Sequence, residues 1–133
     1  MIQYELEMKV RDYECDTQGI VNNSVYQNYL EHTRHEFLIE NGNSFTTLME
    51  KGVMAVVARI EIAYKKSLRP GDVFMSRLYV RKEGVKYVFH QSIYRKSDET
   101  LIIKAKVDTV LVVNGKLTAS HPELDAVVSK FDE

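Results

Sequence analysis

Along residues 4–12, YELEMKVRD, apolar and charged side chains alternate, which sets Tyr4, Leu6, Met8 and Val10 on one face and predicts a first strand. A polar stretch from Tyr13 to Asn23 interrupts the pattern. At Ser24 the period lengthens. Tyr26, Tyr29, Leu30, Thr33 and Phe37 fall at i, i+3, i+4, i+7 and i+11, a single stripe on an α-helix that must face a core. Ser24 and Gln27, three apart, have the spacing of a capping box and predict the helix start. ENGNS ends the helix, with Gly42 suited to a left-handed cap, and SFTTLMEKG predicts a short second helix. From Val53 the period becomes two: Met54, Val56, Ala58, Ile60, Ile62 and Tyr64 are expected on one face, with Arg59 and Glu61 on the other. Three more strands are expected near 72–81, 86–95 and 101–113, separated by the turn-like RKEGVK and KSDET and followed by VNGK. Such short connections imply antiparallel neighbours. HPELDAVVSKF, with Pro122 in a first-turn position, predicts a short C-terminal helix. The expected order is β–α–β–β–β–β, an α+β domain with one long helix covering one sheet face.

Composition narrows the function more than the fold. A chain of 133 residues fits one domain, 1–133, able to bury roughly two thirds of its unfolded surface. A net charge of −1 supplies no basic field for nucleic acid. One cysteine, Cys15, excludes an intramolecular disulfide, and MIQYELEMKV has neither the apolar core of a signal peptide nor a membrane-length span. A cytoplasmic location is expected.

The candidate chemistry lies in CDTQGIVNNSVYQ. Asp16 precedes a helix whose first turn offers unpaired N–H groups, so a carboxylate and a polarising donor are close in sequence. An aspartate that merely caps a turn is the alternative, as are Asn22 and Asn23 as loop residues tolerating unusual backbone angles. Tyr26 and Tyr29 fit core packing. A Cys15 nucleophile would need one of His32, His35, His90 or His121 as base, and no spacing selects one. His32, His35 and Glu36 in HTRHE share a helix side, but their order matches no zinc-protease helix motif, so a solvated flank is expected.

Two segments carry a family likeness. DTQGIVNNSVYQNYLEHTR resembles the hotdog-fold acyl-CoA thioesterases of the 4-hydroxybenzoyl-CoA thioesterase type through Asp16, Gly19, Val21, Asn22, Asn23, Tyr26, Glu31 and Arg34; AYKKSLRPGD adds Tyr64, Gly71 and Asp72, and HPEL a weaker echo. Ser67 stands where the family often has Pro, and Ile20 where some relatives carry His, so a His-assisted mechanism has no candidate here. The resemblance implies a five-stranded antiparallel sheet wrapped around one long central helix. It implies thioester hydrolysis with Asp16 as nucleophile or general base, the Asn23 N–H polarising the carbonyl, and neither metal nor other cofactor. Gly19, Tyr26, Lys82 and Lys86 become substrate-side positions, the two lysines toward the phosphates of coenzyme A. The implied substrate is a thioester of CoA or of acyl carrier protein. A homodimer or dimer of dimers is expected, because the long strand from Val53 would otherwise leave an exposed edge. The competing reading is a hotdog module that binds an acyl thioester without hydrolysing it; a dehydratase on this fold would need a His that Ile20 replaces.

Overall fold

The computed structural model describes residues 3–131. Strand β1, Tyr4–Lys9, ends three residues before the expected limit, because the chain turns into a short 3-10 segment at Asp12–Glu14. Helix α1 runs Asn23–Glu40, α2 Phe45–Glu50 and α3 Pro122–Ser129. The remaining strands are β2 Val53–Tyr64, β3 Val73–Glu83, β4 Lys86–Arg95, β5 Leu101–Val113 and β6 Lys116–Thr118. They form an antiparallel sheet in the order β1-β3-β4-β5-β2, with β6 folded back on β5. The five long strands are the expected ones. The sixth follows the predicted Asn114–Gly115 turn, where both residues have positive φ, but it is too short for its alternation to register in the sequence.

Helix α1 lies on the inner face, and its predicted stripe is buried throughout. The core divides along it. Tyr26, Tyr29 and Leu30 pack with Phe74, Ile93 and Ile103 toward the helix N-terminus. Phe37 and Leu38 pack with Val80, Phe89 and α3 toward its C-terminus. Between the two clusters runs a buried polar belt. Thr33 Oγ1 and Ser76 Oγ share a hydrogen bond of 2.7 Å, Arg34 Nη1 donates to Gln91 Oε1 at 2.9 Å, and Gln91 Nε2 donates to the Leu30 carbonyl at 3.1 Å. These bonds fix the rotation and height of the helix over β3 and β4, since a shift of one turn would strand every partner.

Strand β2 departs from its expected face. Val57 pairs with Thr109 and Arg59 with Asp108, so Ala58 is the extra residue of a bulge. The bulge inverts the alternation. Val53 and Ala55 therefore turn inward before it and Ile60 and Ile62 after it, while Met54 and Val56, expected on the inner face, are exposed. The far side of β2 has no neighbouring strand among the described residues, and Met54, Val56, Val57 and Tyr64 lie open along it. No helix among the described residues is long and apolar enough to cross a membrane.

Candidate active site

Between β1 and α1 the chain reverses tightly, with Cys15 and Val21 bridged antiparallel. At the tip the Asp16 N–H donates to the Ile20 carbonyl at 2.9 Å and the Gly19 N–H to the Asp16 carbonyl at 3.0 Å. This bond pattern needs a left-handed residue in its third loop position, and Gly19 supplies it at φ 75°. Asp16 Oδ1 accepts the Gln18 N–H at 2.8 Å, so the turn-capping role open to this aspartate is realised. It occupies one oxygen only. Oδ2 has no partner among the described residues, and the side chain is exposed.

The helix entrance differs from the expected one. Asn22, not Ser24, is the N-cap: its Oδ1 accepts the Ser24 N–H at 3.0 Å and the Ser24 hydroxyl at 2.9 Å. Asparagine and serine are comparable caps. Asn22 is favoured because its own N–H is tied to the Glu14 carbonyl at 3.1 Å, which sets the chain extended at that residue. Ser24 then falls inside the first turn and serves the cap. As a result Asn23 is the first helical residue, and its N–H has no acceptor among the described residues. An unpaired first-turn N–H adds to the partial positive charge of the helix N-terminus and suits a developing oxyanion.

The connection from β2 to β3 locks this corner. The Val21 N–H donates to the Leu68 carbonyl at 2.9 Å, and the Leu68 N–H donates to the Tyr26 hydroxyl at 3.0 Å. The Tyr64 hydroxyl reaches the Asn23 carbonyl at 3.3 Å. Tyr26 is thus a core residue, packed between Tyr29 and Tyr64 with its oxygen engaged, and its ring is not presented to a ligand. Tyr29 donates to Glu14 Oε1 at 2.8 Å; burial first, and the Glu14 carboxylate second, hold its phenol protonated well above the usual range.

Lys82 and Lys86 sit elsewhere. They flank the β3–β4 turn, whereas the Asp16 corner adjoins the start of β3; nine residues at about 3.3 Å separate Val73 from Lys82, roughly 30 Å along the strand. Lys82 donates to the Gly84 carbonyl, and Lys86 lies 3.5 Å from the buried Asp108 carboxylate. Within one copy these lysines are not brought to Asp16. The cations that are nearby went unnoticed in the sequence: Lys65, Lys66 and Arg69 are exposed on the connection docked against the helix entrance, and their side chains have no acidic partner among the described residues. The signal was present as KKSLR, directly after the strand whose last residue touches Asn23.

The competing chemistries lose ground. Burial, then the carboxylates of Glu14, Asp16 and Asp12, raise the Cys15 thiol pKa, opposite to what a thiolate nucleophile needs. His32 lies 4.0 Å from Glu36 on an exposed helix flank.

An antiparallel sheet curled around one long helix, with a carboxylate turn feeding the helix entrance, defines a hotdog-fold domain of the thioesterase type. Residues 10–130 match the Thioesterase-like superfamily; the chain belongs to that family, and with the membership comes the reaction class, acyl-thioester hydrolysis. Among its relatives is the chloroplastic acyl-acyl carrier protein thioesterase ATL3 of Arabidopsis thaliana, 34% identical over 129 residues, or 96% of this chain and 67% of that protein. ATL2 of the same plant is 35% identical over 114 residues, 84% of this chain and 60% of its own. The chain therefore spans about two thirds or less of these plant proteins. In fold it resembles Slr0204, a 1,4-dihydroxy-2-naphthoyl-CoA thioesterase from Synechocystis, with a TM-score of 0.90 at 13% identity, covering 98% of each chain.

Proposed function

We propose that the protein hydrolyses acyl thioesters, carried by CoA or by acyl carrier protein, at the corner formed by the Asp16 turn and the N-terminus of α1. The thioester carbonyl oxygen accepts the Asn23 N–H. Asp16, through its unpartnered oxygen, attacks the carbonyl carbon or takes a proton from the water that does. Either route builds a tetrahedral oxyanion beside the helix N-terminus, and its collapse breaks the C–S bond, expels the thiolate and leaves the acid, directly or through hydrolysis of an acyl-aspartate. Gly19 shapes the turn. Tyr26 positions it through Leu68. The exposed Lys65, Lys66 and Arg69 meet the phosphate side of the carrier; Lys82 and Lys86 reach the same thioester only from a second copy.

The observation that carries this reading is the cap. Because Asn22 ends the loop, the Asn23 N–H enters the first helical turn without an acceptor, beside the turn that holds Asp16. The test is thiol release from short, long and aromatic acyl groups, each presented on CoA and on acyl carrier protein. Turnover of at least one class is expected. Tight binding of an acyl thioester with no thiol released from any would replace the enzyme by a binding module.

A further inference from the structure

Between the middle of α1 and β2 lies a cavity of about 480 Å³, within the size range of small-molecule sites and remote in sequence from the Asp16 turn. Glu31, Arg34 and His35 form its polar wall on the helix side, and Leu38, Ala55, Val57, Phe89 and Thr109 most of the rest. The same Leu38, Ala55 and Phe89 also border a smaller apolar void of about 30 Å³ beneath α3. The space is polar on the helix side and apolar at its floor.

Arg34 is the unusual element. It is 8% exposed, and among the described residues its only hydrogen bond runs from Nη1 to Gln91 Oε1. No carboxylate lies within ion-pair distance among the described residues; Glu31, one turn earlier, acts on it only at longer range. Gln91 is itself anchored on the Leu30 carbonyl, so one edge of the guanidinium is held, while its remaining donors have no protein acceptor among the described residues and the side chain lines the cavity. A guanidinium has five donors and stays charged. Removing it from water without acceptors is costly, and the cost falls when a ligand supplies an oxygen. The polar belt accounts for one of the five donors and leaves the others for something that enters the cavity.

Resting on the hydrolase reading above, we infer that this cavity receives the acyl group and that Arg34 selects acyl chains bearing a hydrogen-bond-accepting oxygen, with the aliphatic remainder lying against Leu38, Ala55 and Phe89. A hydroxyl, an oxo group and a carboxylate share the required acceptor. A carboxylate would also neutralise the buried cation and bind two donors at once. An unsubstituted chain leaves the guanidinium unpaired, which is how a polar site rejects an apolar analogue.

The experiment compares acyl-CoAs of equal length that are unsubstituted, hydroxylated, oxo-substituted or terminally carboxylated, in the parent and in Arg34→Met and Arg34→Lys. The quantity read is the ratio of kcat/KM for each oxygenated chain over the plain one. In the parent at least one ratio should be tenfold or more, with a carboxylate-only preference marking charge pairing and a shared preference marking simple acceptance. Arg34→Met should bring the ratio down by about tenfold, and Arg34→Lys should restore part of it. A parent with no preference overturns the inference, as does a preference that Arg34→Met retains. Dissociation of Arg34→Met in light scattering with the ratio intact would make Arg34 an interface group and also overturn it. If the parent hydrolyses nothing, the hydrolase reading fails by itself; affinities for the matching non-hydrolysable acyl-CoA thioethers then give the same ratios and decide the role of Arg34 independently. If Arg34→Met does not fold, Arg34→Lys carries the comparison, with loss of at least half the preference expected.

Discussion

Replacing Tyr26 by phenylalanine removes one oxygen from the corner that holds Asp16. The ring stays packed between Tyr29 and Tyr64, so no cavity of consequence opens. What is lost is the acceptor of the Leu68 N–H, in a residue that is fully buried. A buried donor left without a partner costs about 1–3 kcal/mol. With an unfolding entropy of about 2.1 cal/mol/K per residue, a chain of this length loses roughly 4–10 °C of Tm. The Leu68 carbonyl holds the Val21 N–H, so loosening Leu68 also loosens the exit of the Asp16 turn. Thermal unfolding by circular dichroism should show the drop, and steady-state kinetics should show kcat falling with KM little changed. An unaltered Tm together with a raised KM would refute the reasoning, because it would mean that the hydroxyl serves substrate and not Leu68.

Asn22→Ala removes the cap and should cost about 1 kcal/mol in denaturant unfolding, with a kcat loss beyond that of Ser24→Ala, since Ser24 lies inside the turn. Charge reversal at Lys66 and Arg69 should raise KM for CoA substrates severalfold and weaken the salt dependence of binding, with kcat nearly constant; an unchanged KM would remove that segment from the carrier's path. The open edge of β2, with Met54, Val56 and Val57 exposed, is expected to pair with a second copy, so light scattering at micromolar concentration should give a dimer or a dimer of dimers. A stable monomer would contradict that expectation.

Periodicity carried most of the fold. The α1 stripe, the three-strand meander and the helix at Pro122 were legible because each depends on side-chain spacing over several turns or strand residues. The β2 bulge was not. One extra residue at Ala58 inverts the alternation, and the run of Val, Met and Ala before it reads as apolar in either register, so it takes on the register of Ile60 and Ile62. The polar belt was hidden for a related reason. Arg34 and Gln91 are 57 residues apart, and a charged side chain on a helix is ordinarily solvated until its partner is known. At the site, Asp16 and Asn23 stood out from their place before the helix, whereas the choice of Asn22 over Ser24 as cap depended on the bond from Asn22 to Glu14 across the loop. Lys82 and Lys86 were suggested by likeness to family positions, and the sequence does not reveal that the Asp16 turn packs at the opposite end of β3 from the turn they flank.

The central claim is that one oxygen of Asp16 does the chemistry while the other holds the turn. Asp16→Asn tests it most directly, because the amide oxygen can still accept the Gln18 N–H while the negative charge is gone. Pre-steady-state and steady-state thiol release on the best acyl thioester, beside a melting curve and an affinity measurement, should show a fold and a ligand affinity close to the parent and a kcat lowered at least about a hundredfold. A variant that is folded, binds as well and turns over as fast as the parent would contradict the account.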